Sequence, residues 1–468
     1  MYSGIFSLLL ELHFFTYDRT LQKIEGMFDR HKGMGSHRLE NASFFTASRL
    51  FWFVVTALCF GGDAFAFQPS SPLVSRRHAT IARRAQPGAE AQTQVEPNGA
   101  KPRSGPLQSL LNIALASPFW KYILVPNARA NIVKTAEANG VQWKNALAWI
   151  SAQDGPWQKG NAEKCFSSMP DYPDYYLKPF HAYEDGNLAW EAAFEQELAG
   201  RAVGARNFPA YGEAGEEAFR GAFDKALTEL GAVVPEGATI VDFGCGTGTS
   251  TRRLAERNAQ AKEIVGVDLS PYFVTVGKRL LELAPLGTSS GGPWVTTIRP
   301  DDRVELQIGD CTSTGMPDAC ADVVSIGLVM HELPLSPAMA MCEEARRILK
   351  PGGQLWISEM DFSSTAFAKQ RANPLLFSLI RSTEPYLDEY ADGTSDLMHF
   401  VAKTFDDVKV CAATGRHYAL IATKGDSNDG EASGIIIDDR RFKPDGSYAV
   451  ADTHLMTWET TSESETHV

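Results

Sequence analysis

Three glycines at alternate positions, Gly244, Gly246 and Gly248, follow a short apolar run ending in the acid of the stretch TIVDFGCGTGTS, Thr239 to Ser250. That order of residue types predicts a strand end turning sharply into a helix. Ile240 and Val241 are β-branched and apolar, and glycine alone lets the backbone both turn with positive φ and approach a ligand closely. A helix from about Thr249 presents its free N–H groups to whatever lies above the strand. Such a turn alone serves phosphate and dinucleotide ligands equally well. The acids that follow narrow the chemistry. KEIVGVDLSPYFVTVGKRLLE predicts a second strand, Ile264 to Val267, ending in Asp268, where a carboxylate can accept both hydroxyls of a ribose. The other reading of Asp268 is a helix N-cap, supported by Leu269-Ser270-Pro271. VELQIGDCT places Asp310 at the end of a third strand, and ADVVSIGLVMHELP supplies a fourth that runs into His331 and Glu332.

The elements that must hold these residues are legible around them. Ser336-Pro337 predicts a helix start, as N-cap and first-turn proline, with Ala338, Met341, Cys342, Ala345, Ile348 and Leu349 on one face. Pro351-Gly352-Gly353 stops that helix, and Gln354 to Met360 reads as a fifth strand. FDDVKVCAATGRHYALIATKG alternates as two strands about a turn at Thr414-Gly415.

In order, VDFGCGTG, VGVD, GD, DVVSIGLVMHEL and the pair ARRILKPGG and QLWISEMD resemble the motifs of the class I S-adenosylmethionine-dependent methyltransferases, over residues 239 to 360. A nicotinamide-dependent Rossmann enzyme is the lesser reading, because the third glycine comes one position early and gives GxGxG in place of GxGxxG. Within the methyltransferases the chain is most similar to the UbiE-like C-methyltransferases of ubiquinone and menaquinone biosynthesis and their type 11 relatives. The YPDYYL and STEPYLDEY segments resemble a branch found in plants, algae and cyanobacteria, and that likeness covers roughly residues 107 to 425.

The resemblance implies an α/β fold, a Rossmann-like doubly wound seven-stranded sheet with an antiparallel last strand, plus an N-terminal helical cap. It implies S-adenosylmethionine as cofactor, held by Asp242, Gly244, Cys245, Gly246, Gly248, Asp268, Leu269, Asp310 and Cys311. In that family pattern Asp242 takes the amino group directly or through water, Asp268 the ribose hydroxyls, and Asp310 with the Cys311 backbone the adenine edge. His331 and Glu332 stand where the family often places acceptor-side residues. A histidine there can act as general base, orient the substrate or hydrogen-bond within its loop. No Asn-Pro-Pro-Tyr motif follows the fourth strand, which disfavours a planar amide or base nitrogen as the methylated atom. A reading from another class is a catalytically idle cofactor-binding scaffold. Against it, Asp242, Gly244, Gly246, Asp268 and Asp310 are all present together.

The 468 residues are 44% hydrophobic, enough for one or two globular domains with tails. A net charge of −13 argues against nucleic acid as a main partner, since phosphate binding needs a basic face. The six cysteines beyond the expected cleavage site show no CxxC or other metal-ligand spacing, which suits a reducing stroma and not a disulfide framework or zinc site.

The division of the chain is read as follows. Residues 1–33 are an upstream extension before a start at Met34. Residues 34–66 have the layout of a signal peptide, with Arg49 before the apolar run Leu50 to Phe60 and Ala64-Phe65-Ala66 as cleavage site; a retained anchor is the alternative. Residues 67–106 are a transit peptide and linker, opening on Phe67 and carrying Arg76, Arg77, Arg83 and Arg84. The signal-then-transit order resembles the bipartite presequence of algae with secondary plastids, which implies a plastid location. Residues 107–235 are the helical cap, 236–425 the methyltransferase domain, and 426–468 a tail with a small hairpin turned at Pro444-Asp445-Gly446. Leu107 to Val125 reads as a helix broken at Pro118, packed on the domain or facing a membrane, and two short helices flank Asn139-Gly140. The aromatic stretch 170–200 supplies Tyr176, Phe180 and His181 as substrate candidates beside Glu332, with Tyr175, Tyr183 and Trp190 near them; for each ring, core packing is the competing role. The expected acceptor is a small lipophilic molecule related to quinones, tocopherols or pigments, with peripheral contact to a plastid membrane.

Overall fold

The computed structural model describes residues 125–159, 171–181, 183–283, 298–364, 366–367, 383–425 and 435–437. The presequence, the expected Leu107 to Val125 helix up to its last residue and the expected hairpin at Pro444 lie outside the described residues. In chain order the helices and strands are α1 (Val125–Ala138), α2 (Trp143–Ser151), α3 (Trp190–Asn207), α4 (Gly215–Leu230), β1 (Thr239–Phe243), α5 (Thr249–Arg257), β2 (Glu263–Asp268), α6 (Pro271–Glu282), β3 (Val304–Ile308), β4 (Ala321–Gly327), α7 (Leu335–Ile348), β5 (Leu349–Met360), α8 (Leu387–Thr404), β6 (Asp407–Ala412), β7 (His417–Thr423) and β8 (Ile435–Ile437).

The strands form one sheet in the order β3-β2-β1-β4-β5-β7-β6-β8. The first seven give the expected Rossmann-like doubly wound sheet, with β7 antiparallel to both neighbours. β8 is an addition to the sequence reading: three isoleucines from the stretch taken as tail pair in parallel with β6. Strand order reverses between β1 and β4, so a crevice opens at their carboxyl ends, the usual ligand position in such sheets.

The central strands are apolar on both faces because both are covered. Val241, Phe243, Val324 and Ile326 face a cluster with Met341, Cys342, Ala345 and Ile348 of α7 and Leu387, Leu397 and Val401 of α8. Ile240, Ile264, Val323 and Trp356 point the other way, onto Phe219, Ala222, Phe223 and Ala226 of α4. Alternate residues thus serve opposite layers, as the strand period of two requires. α4, from the stretch read as cap, therefore packs on the sheet, while α1, α2 and α3 gather against α6 around Trp143, Ile150, Ala193, Leu198 and Phe273.

Two local expectations are corrected. α7 starts at Leu335, and Ser336 is not its cap, because the Leu335 N–H donates to Glu389 Oε1 on α8 at 2.8 Å. Leu349 opens β5 and pairs with Ala321, so it belongs to the sheet and not to the helix face.

α3 and α4 touch through glycine. A Cβ on Gly204 would lie 2.3 Å from Glu216 Cα, and one on Gly215 would lie 2.6 Å from Ala205 Cα. Neither neighbour is a movable side-chain tip. Gly204→Ala gains helix propensity but forces the helices apart, and we expect a net loss of about 1–2 kcal/mol in urea unfolding. A variant as stable as the wild type would show that the helices do not meet there.

Candidate functional site

The glycine turn after β1 is fixed from three sides. Gly244 and Cys245 donate their N–H groups to the Val267 carbonyl at 2.8 and 3.1 Å, joining the turn to the end of β2. Gly246 donates to Asp268 Oδ2 at 2.8 Å. From the cap, Gln196 on α3 accepts from the Thr247 N–H at 3.3 Å and from its hydroxyl, and Glu197 accepts from that hydroxyl at 3.0 Å. Gly244, Gly246 and Gly248 all have positive φ, at 69°, 57° and 88°. A Cβ on Gly244 would meet Val329 at 2.6 Å, and one on Gly246 would meet Gln196 Nε2 at 2.6 Å. Positive φ favours glycine at all three positions, and at Gly244 the branched Val329 side chain adds a demand for space.

The acids stand at the strand ends. Asp242 is 1% exposed, and its Oδ2 accepts from the hydroxyls of Ser250 and Thr251 at 2.6 and 2.7 Å, tying the first turn of α5 to β1. Its Oδ1 is buried and has no partner among the described residues. Burial raises the Asp242 ionisation, and the two hydroxyls oppose that shift. Asp268 is buried, accepting from Ser270 N at 2.8 Å through Oδ1 as well as from Gly246. Burial pushes its ionisation up to about 6 against those two donors. The cap of α6 is Ser270, whose hydroxyl oxygen accepts from Phe273 N at 3.2 Å, so Asp268 is not the N-cap. Leu269 is buried behind it. Asp310 is half-buried two residues past β3, and its Oδ1 accepts from the Thr312 N–H and hydroxyl at 2.8 and 2.7 Å. Cys311 is buried with its Sγ 3.5 Å from the Val267 carbonyl, beside the glycine turn.

The acceptor-side candidates follow β4. Leu328 turns the chain with φ 59°, a left-handed conformation that a branched side chain adopts at a cost of order 1–3 kcal/mol. The short turn Met330–Glu332 comes next. His331 is 7% exposed, with Nδ1 2.7 Å from Glu359 Oε1 on β5. Burial alone would lower its ionisation, but the Glu359 carboxylate, with Glu384 and Glu332 nearby, raises it to about 10. Glu332 is pushed up to about 8 by burial and by the acids Glu384, Glu359 and Asp268, although His331 opposes the shift.

Tyr176 is half-buried and links the two groups of residues, since burial and then Asp268 and Glu332 hold its hydroxyl ionisation well above the usual range. Phe180 is buried, and His181 lies half-exposed at φ 47°, its N–H donating to the Thr383 carbonyl at 2.8 Å and its Nε2 3.9 Å from Glu384 Oε1. The neighbouring rings do other work: Tyr183 donates its hydroxyl to Glu195, Trp190 packs on Tyr272 and Trp157, and the Tyr175 carbonyl accepts from Tyr386. The structure thus brings the nine cofactor candidates to the carboxyl ends of β1, β2 and β3, with His331, Glu332 and Tyr176 next to them. Sequence reasoning passed over Gln196 and Glu197, which carry no motif, and Glu359, whose one signal was an acid inside the strand stretch QLWISEM.

This donor set fits S-adenosylmethionine. The buried Oδ1 of Asp242, without a partner among the described residues, suits an ammonium group, and the Asp268 carboxylate retains lone pairs for hydroxyls. The fold is a Rossmann-like doubly wound sheet, and the crevice at its strand ends fits S-adenosylmethionine. Residues 241–357 match the family described as methyltransferase domain. The demethylmenaquinone methyltransferase of Bacillus licheniformis is 33% identical over 122 residues, 26% of this chain and 44% of that protein. That of Symbiobacterium thermophilum is 30% identical over 118 residues, 25% of this chain and 41% of that protein. An uncharacterised 37.1 kDa transposon protein of Streptomyces fradiae is 30% identical over 128 residues, 27% of this chain and 32% of that protein. The chain thus spans less than half the length of these curated relatives. A solved putative S-adenosylmethionine-dependent methyltransferase from Methanococcus maripaludis is 14% identical, with a TM-score of 0.35, covering 56% of this chain and 100% of that one.

The His331–Glu359 pair sets a pH dependence. His331 ionises higher in the folded chain than its ordinary 6.5, so its contribution to stability is complete below about pH 6.5 and fades as pH rises through about 10. Across that window the wild type should lose stability relative to His331→Gln in denaturant titrations at several pH values. Parallel stability curves for the two proteins would contradict the charged pair.

Proposed function

We propose that this chain transfers a methyl group from S-adenosylmethionine to a small lipophilic acceptor of the quinone, tocopherol or pigment type, at carbon or oxygen, in a plastid. The observation that carries the reading is the gathering of Asp242, Gly246 and Asp268 into one site in which Asp242 Oδ1 is buried without a partner among the described residues. The cofactor, when bound, supplies a methyl group on a positively charged sulfur. Asp242 and Asp268 orient and hold, the glycine turn admits close approach, and α3 covers the turn through Gln196. Alignment and exclusion of water are the main demands of an in-line displacement, so a site built of positioning groups suffices. The names of the Bacillus and Symbiobacterium relatives support a quinone-type acceptor, and the Tyr176 ring beside Asp268 and Glu332 supports an aromatic one. The plastid location rests on the composition of residues 34–89.

Calorimetric titration of S-adenosylmethionine and S-adenosylhomocysteine into the full chain tests the core of this reading. Both should bind, and Asp268→Ala, shown folded by its thermal melt, should weaken both by roughly 10-fold to 100-fold, the worth of one or two charge-assisted hydrogen bonds. Absence of binding to the wild type would overturn the assignment.

A further inference from the structure

The glycine turn after β1 keeps its own backbone donors occupied. Gly244 and Cys245 donate to the Val267 carbonyl, Gly246 to Asp268 Oδ2, Thr247 to Gln196 Oε1 at 3.3 Å and Gly248 to the Cys245 carbonyl at 2.9 Å. A turn that seats a phosphate points such amides at the ligand instead. Here none from Gly244 to Gly248 is left for an anion, and the acids Asp242, Asp268 and Glu197 are bonded around the turn. An anionic group placed on this turn therefore needs a donor from outside it.

The cap supplies one. α3 carries three polar residues in a row, and each has a different partner. Glu195 accepts from Arg129 on α1 and from the Tyr183 hydroxyl, while Glu197 accepts from the Thr247 hydroxyl at 3.0 Å and from Arg252 at 2.5 Å. These bonds fix the rotation of α3, and Gln196 between them reaches the turn. Its amide can face only one way. The Thr247 N–H must donate, so the amide oxygen lies against it and the NH2 group takes the other side. Nε2 stands 2.6 Å from where a Cβ of residue 246 would be, and it makes no hydrogen bond among the described residues. Arg252, the cation beside the turn, is already bonded to Glu197 and to the Thr247 carbonyl at 3.0 Å.

Asp242 indicates which anion belongs here. Its buried Oδ1, without a partner among the described residues, suits an ammonium group. In an α-amino acid the ammonium and the carboxylate share one carbon, so a ligand with its ammonium on Asp242 carries a carboxylate beside it. Asp242 and Gln196 flank the same turn, one from the strand and one from the cap. We propose that Gln196 is a cofactor-binding residue whose Nε2–H donates to the α-carboxylate in the methionine part of S-adenosylmethionine. Its oxygen braces the turn while its nitrogen reads the ligand. The inference rests on the methyltransferase reading and deepens it. Selectivity for the complete amino-acid nucleoside, against nucleosides lacking the carboxylate, lies in α3 and not in the glycine motif.

Calorimetric titration of the full chain tests this with S-adenosylhomocysteine and its decarboxylated analogue, S-adenosyl-3-thiopropylamine, which keeps the nucleoside and the amine. The wild type should prefer S-adenosylhomocysteine roughly tenfold, as expected for one charge-assisted hydrogen bond. Gln196→Met, which keeps the length of the side chain without its donor, and Gln196→Ala should each bind the two ligands about equally. Binding of the analogue reports that a variant is folded, and comparing the ligands within one variant cancels any loosening of the turn. Equal affinities in the wild type would overturn the proposal. So would a preference that persists in either folded variant, with both ligands weakened alike; Gln196 would then only brace the turn, and recognition would pass to another donor such as the buried Thr249 hydroxyl. If neither nucleoside binds the wild type, the methyltransferase reading fails instead.

Discussion

The hydrogen bond from the Gly246 amide to the Asp268 carboxylate joins the turn after β1 to the end of β2, and the site depends on it. The parallel register places Asp242 beside Gly266 and Phe243 beside Val267, so the turn leaves β1 level with the point where Asp268 ends β2. Gly266 makes this approach feasible, since a Cβ there would stand 2.7 Å from both Thr251 Oγ1 and a Leu306 methyl and 2.9 Å from Cys245 Cβ. The same carboxylate accepts from Ser270 N, so one buried charge orders the glycine turn, the start of α6 and a ligand-facing surface together.

Acids at strand ends recur as the organising device of this crevice. Asp242 on β1 holds the first turn of α5 through two hydroxyls, Asp268 on β2 holds two backbone amides, and Glu359 on β5 holds three backbone amides and a ring nitrogen. Buried carboxylates are expensive unless surrounded by donors, so each one fixes the loop that supplies its donors. The loops between strands are thereby held as firmly as the sheet, which pre-organises a site whose main task is alignment.

Much of this was legible in the sequence because it is local. Apolar runs ending in acids, glycines at alternate positions and the turn at Thr414-Gly415 each gave an element that the sheet contains. What escaped depends on partners distant in the chain. Ser336 looked like a cap, but the Leu335 amide finds Glu389 across α8. The acid of QLWISEM was visible, yet its role needed the β4–β5 pairing that sets Gly327 beside Ser358 and so brings His331 to Glu359. Gln196 belongs to no pattern, and only the packing of α3 over the glycine turn gives it a function. Ile435–Ile437 was a short apolar run in an acidic stretch, and its strand exists only through pairing with β6.

A crystal structure of the full chain with S-adenosylhomocysteine tests the central claim most directly. The account predicts the ribose hydroxyls on the Asp268 carboxylate, the amino group on Asp242 Oδ1 and the sulfur facing the His331 side of the crevice. A nucleoside bound elsewhere, or a phosphate group seated on the glycine turn, would contradict it.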